Sequence, residues 1–169
     1  MAGRRHTPLD AETMAEVILA HCLEPEDGAL AEMLREALLT DAAAAREAIQ
    51  RPEVQVALAL RISATAEPAL AMTALLLRTL RQVDPVAAAA VVAECDVGAL
   101  ARTLSYVVDY SAQQVNLLAR VYSCNPQVGQ RIFARCGTLL KEFLAQSSFP
   151  YLDLPEDLIA DVERWKERG

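Results

Sequence analysis

The chain has 169 residues, of which 53% are hydrophobic and only 5% aromatic, and its formal net charge is −7. That length supports one domain with a real core, and that hydrophobic content excludes a wholly disordered chain. The Ala–Leu bias favours helix, the scarcity of aromatics argues against a β-sandwich or barrel, and the acidic balance argues against a nucleic-acid binder, whose surface is ordinarily basic.

Residues 1–8 read as a flexible tail and 9–169 as a single helical domain. The basic start, MAGRRH, has no apolar run behind it, so no signal peptide is expected. Pro8, Asp10 and Glu12 mark the first helix start, with acids at its positive end. Gly28 opens a second helix, in which Leu30, Met33, Leu34, Ala37 and Leu38 recur at helical spacing. Asp41 is placed to cap a third, and Pro52 begins a fourth. Val54, Val56, Leu58 and Leu60 also alternate, which is the pattern of a strand, but Ala57, Ala59 and the helical neighbours favour helix.

Pro68 starts the longest helix, apolar nearly all round over its first ten residues and so expected between other helices. Arg78 and Arg81 break its apolar character, and no eighteen-residue stretch is apolar enough for a membrane span. Asp84-Pro85 and Asn125-Pro126 each reset the chain, a polar cap followed by proline at the first helical position. Between them lie two helices, 98–108 and 111–124, separated by a break at 109–111. Gly137 then separates the helix from Pro126 to Cys136 from a short one ending at Gln146. A final helix runs from about Pro155, with Leu158, Ile159, Val162 and Trp165 expected on its packed side.

The chain repeats itself: Pro85 and Pro126 are 41 residues apart, and at the same offset Leu76, Leu77 and Leu80 fall on Leu117, Leu118 and Val121. Cys95 falls likewise on Cys136, and Gly28-Ala29-Leu30-Ala31 matches Gly98-Ala99-Leu100-Ala101. A unit of about forty residues cannot bury its apolar face alone, whereas a stack of units can. Over residues 68–146 the order of short helix, Gly, second helix, turn and longer third helix resembles the armadillo/HEAT-like family. The resemblance implies an all-α, short right-handed α-α superhelix of about three repeat-like units with a C-terminal capping helix. An irregular helical bundle is the alternative.

That family usually binds proteins or peptides along its third helices. The positions that ordinarily carry a ladder of asparagines fall here on Leu80 and Val121, which argues against asparagine-laddered peptide capture. On the helix 111–124, Gln113, Asn116, Arg120 and Ser123 share the side opposite Val115, Leu118, Val121 and Tyr122, and form a candidate recognition stripe. Their repeat partners are Met72, Leu75, Thr79 and Gln82. Tyr106 and Tyr110, four residues apart, are further partner-binding candidates because tyrosine is enriched at interfaces. The aromatic loop 149–152, or an end of the stack, offers a route to a homodimer.

No catalytic residue, metal or cofactor is expected. The two histidines are His6 and His21, and the four cysteines, Cys22, Cys95, Cys124 and Cys136, contain no CxxC and read as free thiols of a reducing, cytoplasmic compartment. The expected function is a non-catalytic interaction module or adaptor for a protein partner. The alternatives are an enzyme or small-ligand binder with a pocket near His21 or Cys136, and a nucleic-acid-associated repeat. The last requires Arg46, Arg51, Arg61, Arg78, Arg81, Arg102 and Arg120 to converge.

Overall fold

Proline at the first helical turn begins three helices, Pro52, Pro85 and Pro126, where its missing N–H costs nothing and its fixed φ suits the helix. The computed structural model describes residues 9–23, 27–105, 112–146 and 154–168. These form eleven α-helices and one 3₁₀ turn, with no strand among the described residues. In chain order the helices are α1 (Ala11–Cys22), α2 (Asp27–Thr40), α3 (Ala42–Ile49), α4 (Pro52–Ser63), α5 (Leu70–Val83) and α6 (Pro85–Ala93). Then come α7 (Val97–Ser105), α8 (Ala112–Cys124), α9 (Pro126–Arg135), α10 (Thr138–Gln146) and α11 (Glu156–Arg168).

The alternation at 54–60 does not make a strand. Val54, Leu58, Ala59 and Ile62 bury one face of α4, while Val56 and Leu60 are exposed, which is helical periodicity. Asp41 precedes α3 but makes no capping hydrogen bond through its side chain, contrary to the sequence expectation. Asp84 and Asn125 do cap. Asp84 Oδ1 accepts from the amides of Val86 (3.0 Å) and Ala87 (3.3 Å), and Asn125 Oδ1 accepts from Val128 N at 3.3 Å. Both also tie one helical turn to another: Gln50 Nε2 donates to Asp84 Oδ2 (2.9 Å), and Asn125 Nδ2 donates to Ala89 O (3.1 Å).

The buried side chains form one continuous cluster running through α1 to α11. Each fully buried Leu, Ile or Val in it contributes roughly 1.5–3 kcal/mol relative to exposure. Helix α5 is packed between α2 and α8 and buries eight residues, Leu76, Leu77 and Leu80 among them. Around it, α6 touches α5, α4 and α8, and α9 touches α8, α7 and α11. The two helices begun by Asp84-Pro85 and Asn125-Pro126 therefore have corresponding neighbours. Matching hydrogen bonds join adjacent turns: Ser63 Oγ accepts from Asp96 N (2.9 Å), and Ser105 Oγ accepts from Gly137 N (2.8 Å). The arrangement is still irregular rather than a uniform stack. Helix α11 leans on α9 and α10 more than on α8, and the chain opens with α1 packed across α3.

The last helix is nonetheless anchored to the middle of the chain. Tyr122 on α8 is buried, and its hydroxyl donates to Asp161 Oδ2 on α11 at 2.6 Å; Arg164 pairs with the other oxygen of that carboxylate. Leu158 and Val162 are buried and Trp165 packs partly against the core, whereas Ile159 is 46% exposed and leaves the packed side.

Gly129 shows why a glycine sits inside α9. A Cβ there would lie 2.6 to 2.9 Å from three carbons of the Tyr122 ring, so α9 approaches α8 over a bare backbone. Gly129→Ala is expected to cost about 1–3 kcal/mol by overpacking, read as a fall of several degrees in Tm. An unchanged melting curve would mean that the two helices do not meet there.

Asp84 supplies a pH signature. The Gln50 hydrogen bond outweighs the opposing effect of burial and, with help from the Ala87 and Val86 amides and the nearby Arg46 charge, holds its carboxyl below the ordinary aspartate value. A carboxyl that is more acidic when folded stabilises the fold above its unfolded pKa, and that contribution fades as pH falls through the folded value. Asp84→Ala is expected to lose about 1 kcal/mol at pH 7, with the gap to wild type narrowing below about pH 4. Urea unfolding at several pH values measures it.

Candidate functional site

Where α5 and α8 end side by side, their last turns leave a cleft of about 280 Å³. Arg78, Arg81 and Gln82 reach it from α5, Pro85 from the start of α6, and Arg120, Ser123 and Cys124 from α8. The periodicity that buries α5 produces this lining. Leu76, Leu77, Thr79, Leu80 and Val83 turn inward, so Arg78, Arg81 and Gln82 are the residues of that stretch left outside. Likewise Val121, Tyr122 and Cys124 turn inward on α8, and Arg120 and Ser123 stay partly exposed.

The structure separates the sequence-nominated residues into groups. Gln82, Arg120 and Ser123 come together in the cleft. Gln113 is exposed and Asn116 half-buried farther along α8. Met72 is 41% exposed near the start of α5, its sulfur 3.4 Å from where a Cβ on Gly28 would lie. Leu75 is half-buried against the core. Thr79 is buried, with its hydroxyl donated to Leu75 O at 2.8 Å, so it offers nothing to a partner in the folded chain. Tyr106 and Tyr110, the 1–8 tail, the Asp109–Ser111 break and the 149–152 loop lie outside the described residues.

Arg78 and Arg81 join the cleft although the sequence stripe omitted them. Arg78, Arg81 and Gln82 are the exposed residues in the last turns of α5, but spacing along α5 alone does not say that α8 ends beside them. Among the described residues, no carboxylate forms an ion pair with Arg78, Arg81 or Arg120; the ion pairs there are Arg35–Glu32, Arg164–Asp161 and Lys166–Glu163. Of the seven arginines a nucleic-acid surface was to gather, these three line one cleft, while Arg46 donates its Nε to Val83 O at 3.2 Å.

Two further clefts each bring charged residues together with apolar ones. One, about 170 Å³, lies between α1 and α2 and is lined mainly by Leu9, Met14, Val17, Met33 and Ala37. The other, about 230 Å³, is bounded by Phe133, Lys141, Asp161, Arg164, Trp165 and Arg168. There Lys141 Nζ lies 5.2 Å from the Phe133 ring centre and donates to Ala134 O, and Asp161 is engaged by Tyr122 and Arg164. None of the three clefts is lined by His21 or Cys136. Among the described residues no three His, Cys, Asp or Glu side chains are grouped to hold a metal ion. No helix there is long and apolar enough to cross a membrane.

The thiols are held away from reactivity. Burial pushes Cys95 up to about 12, and Cys124 and Cys136 up to about 11, with the serines Ser63 and Ser105 and the charges of Arg81 and Arg120 only partly opposing it. Cys95 Sγ donates weakly toward Ala59 O and Val91 O, and Cys124 Sγ toward Leu77 O. Cys22 is half-buried, with its pKa raised by burial to about 11. A thiolate is the nucleophile, and these sites disfavour it.

No family model matches the chain, and neither curated proteins nor solved structures yield a match.

Native protein exposed to iodoacetamide near neutral pH is expected to be alkylated slowly, at Cys22 first. Cys95, Cys124 and Cys136 should label only once the fold is opened with urea. Peptide mass spectrometry over time measures the order, and early labelling of Cys124 would overturn its burial.

Proposed function

We propose that the chain is a non-catalytic interaction module, a short right-handed armadillo/HEAT-like superhelix that takes a protein partner on the α5–α8 face. The corresponding neighbours of α6 and α9, and the paired Ser63–Asp96 and Ser105–Gly137 hydrogen bonds, support the superhelical reading. The observation that carries the functional reading is the cleft itself. It joins three arginines, Gln82 and Ser123 on rigid helix ends, in a chain whose net charge is −7. A preformed surface of this kind binds at low ordering cost, and arginine is among the residues that dominate interface energy. The exposed Gln113 and half-buried Asn116 extend the same helix face as a polar flank.

The acidic balance favours a protein partner over nucleic acid, whose backbone demands a broad basic surface. Burial of Cys124 and Cys136, which raises both thiols, supports binding rather than nucleophilic catalysis.

The test places a photo-crosslinking amino acid at Gln82 in the native cell and, as a control, at Glu32 on α2. A partner crosslinked from position 82 and not from 32 is then purified and titrated against the full chain. Arg120→Ala is expected to weaken that binding about tenfold or more. Equal crosslinking from both positions, or an unchanged affinity, would overturn the proposed face.

A further inference from the structure

We propose that the arginine cleft is a phosphate-monoester site, which reads a phosphorylated side chain on the protein partner. This rests on the α5–α8 face being the docking surface. Three arginines line one cleft of about 280 Å³, and no carboxylate of the described residues pairs with them. Their mutual repulsion is relieved by an anion. Asp84, beside Pro85 at the rim, does not serve. Its Oδ2 is held by Gln50, and its Oδ1 by the amides of Val86 and Ala87.

Helix C-termini carry a partial negative charge of about half an electron each, which disfavours anions. At α5 that end is already answered from outside the cleft, since Arg46 Nε donates to Val83 O. Two half-charges and the Asp84 carboxylate at the rim do not together cancel three whole positive charges, so the balance of the cleft stays positive.

The chemistry of the donors selects the anion. All three cations are arginines, whose planar forks match phosphate or carboxylate oxygens in pairs. One carboxylate brings a single charge and two oxygens, and would leave most of the positive charge unanswered. A phosphorylated side chain brings about −1.5 to −2 and three acceptor oxygens. Gln82 adds an amide donor, whereas the Ser123 hydroxyl is already donated to Ala119 O at 2.9 Å.

The test uses the full chain labelled with ¹⁵N and follows the arginine Nε–H resonances by NMR. The probes are inorganic phosphate, N-acetyl-phosphoserine amide, N-acetyl-glutamate amide and a single-stranded oligonucleotide. Phosphate and the phosphoserine probe are expected to move the Arg78, Arg81 and Arg120 signals together and saturably, while Arg35, paired with Glu32 on α2, stays put. The glutamate probe should bind about tenfold more weakly, and Arg120→Gln, with its helical circular dichroism intact, should abolish saturation. Equal response to glutamate and phosphoserine, or shifts shared by every arginine, overturns the phosphate site. Tighter, Arg120-dependent binding of the oligonucleotide overturns it in favour of a nucleic-acid backbone. The two readings fail separately. A Gln82-crosslinked partner whose affinity ignores phosphatase treatment removes the phosphate and keeps the docking face, and saturable phosphoserine binding with no crosslinked partner does the reverse.

Discussion

The burial of α5 on two flanks governs the rest of the molecule. An apolar helix in the middle of a chain must be covered on both sides, and α2 and α8 do this. Once both flanks are taken, only a narrow strip of α5 stays outside. In its last turns that strip consists of Arg78, Arg81 and Gln82. The same packing brings the end of α8 alongside, so Arg120 and Ser123 face the strip. The cleft is a by-product of hydrophobic packing, and its precision comes from the rigidity of the two helices rather than from any loop.

That origin shapes its electrostatics. The chain as a whole is acidic, and long-range fields from its surface repel anions. Screening in physiological salt confines such fields to about 8 Å. A ligand inside the cleft therefore meets the local arginines first. An acidic partner would gain little from steering and most of its affinity from contacts made after arrival, which places discrimination in the dissociation rate.

Much of the fold was legible because helix boundaries here are written in single residues. Pro52, Pro85 and Pro126, with the caps Asp84 and Asn125, mark helix starts where the structure has them. The inward face of α8, Val115, Leu118, Val121 and Tyr122, followed directly from spacing. What did not follow was anything requiring knowledge of a neighbour. Thr79 matched the candidate stripe by offset, but α5 is covered on that side and the threonine is buried. Asp41 had the chemistry of a cap and not the geometry, since its backbone sits at φ −136° and ψ 47°, outside the extended range of a capping residue. The reason for a glycine at 129 lies in the ring of Tyr122, on the preceding helix. The candidate cleft was half legible. Periodicity along one helix supplied Arg120 and Ser123, but Arg78 and Arg81 join them only through the crossing of a second helix.

Two serine–cysteine pairs form similar joints at two places in the chain. A backbone amide that leaves one helix before the next begins has no intrahelical acceptor, and if left unmade its hydrogen bond costs about 1–3 kcal/mol. Ser63 answers Asp96 N in this way, and Ser105 answers Gly137 N. The residue just before each of those amides is a buried cysteine, Cys95 or Cys136. A thiol is small and nearly apolar, so it fills the space under the turn without demanding strong hydrogen bonds of its own. A larger side chain at that position would push the turn away from the serine that holds it. The hydroxyl and the thiol thus together set how closely each turn sits on the helix that holds it.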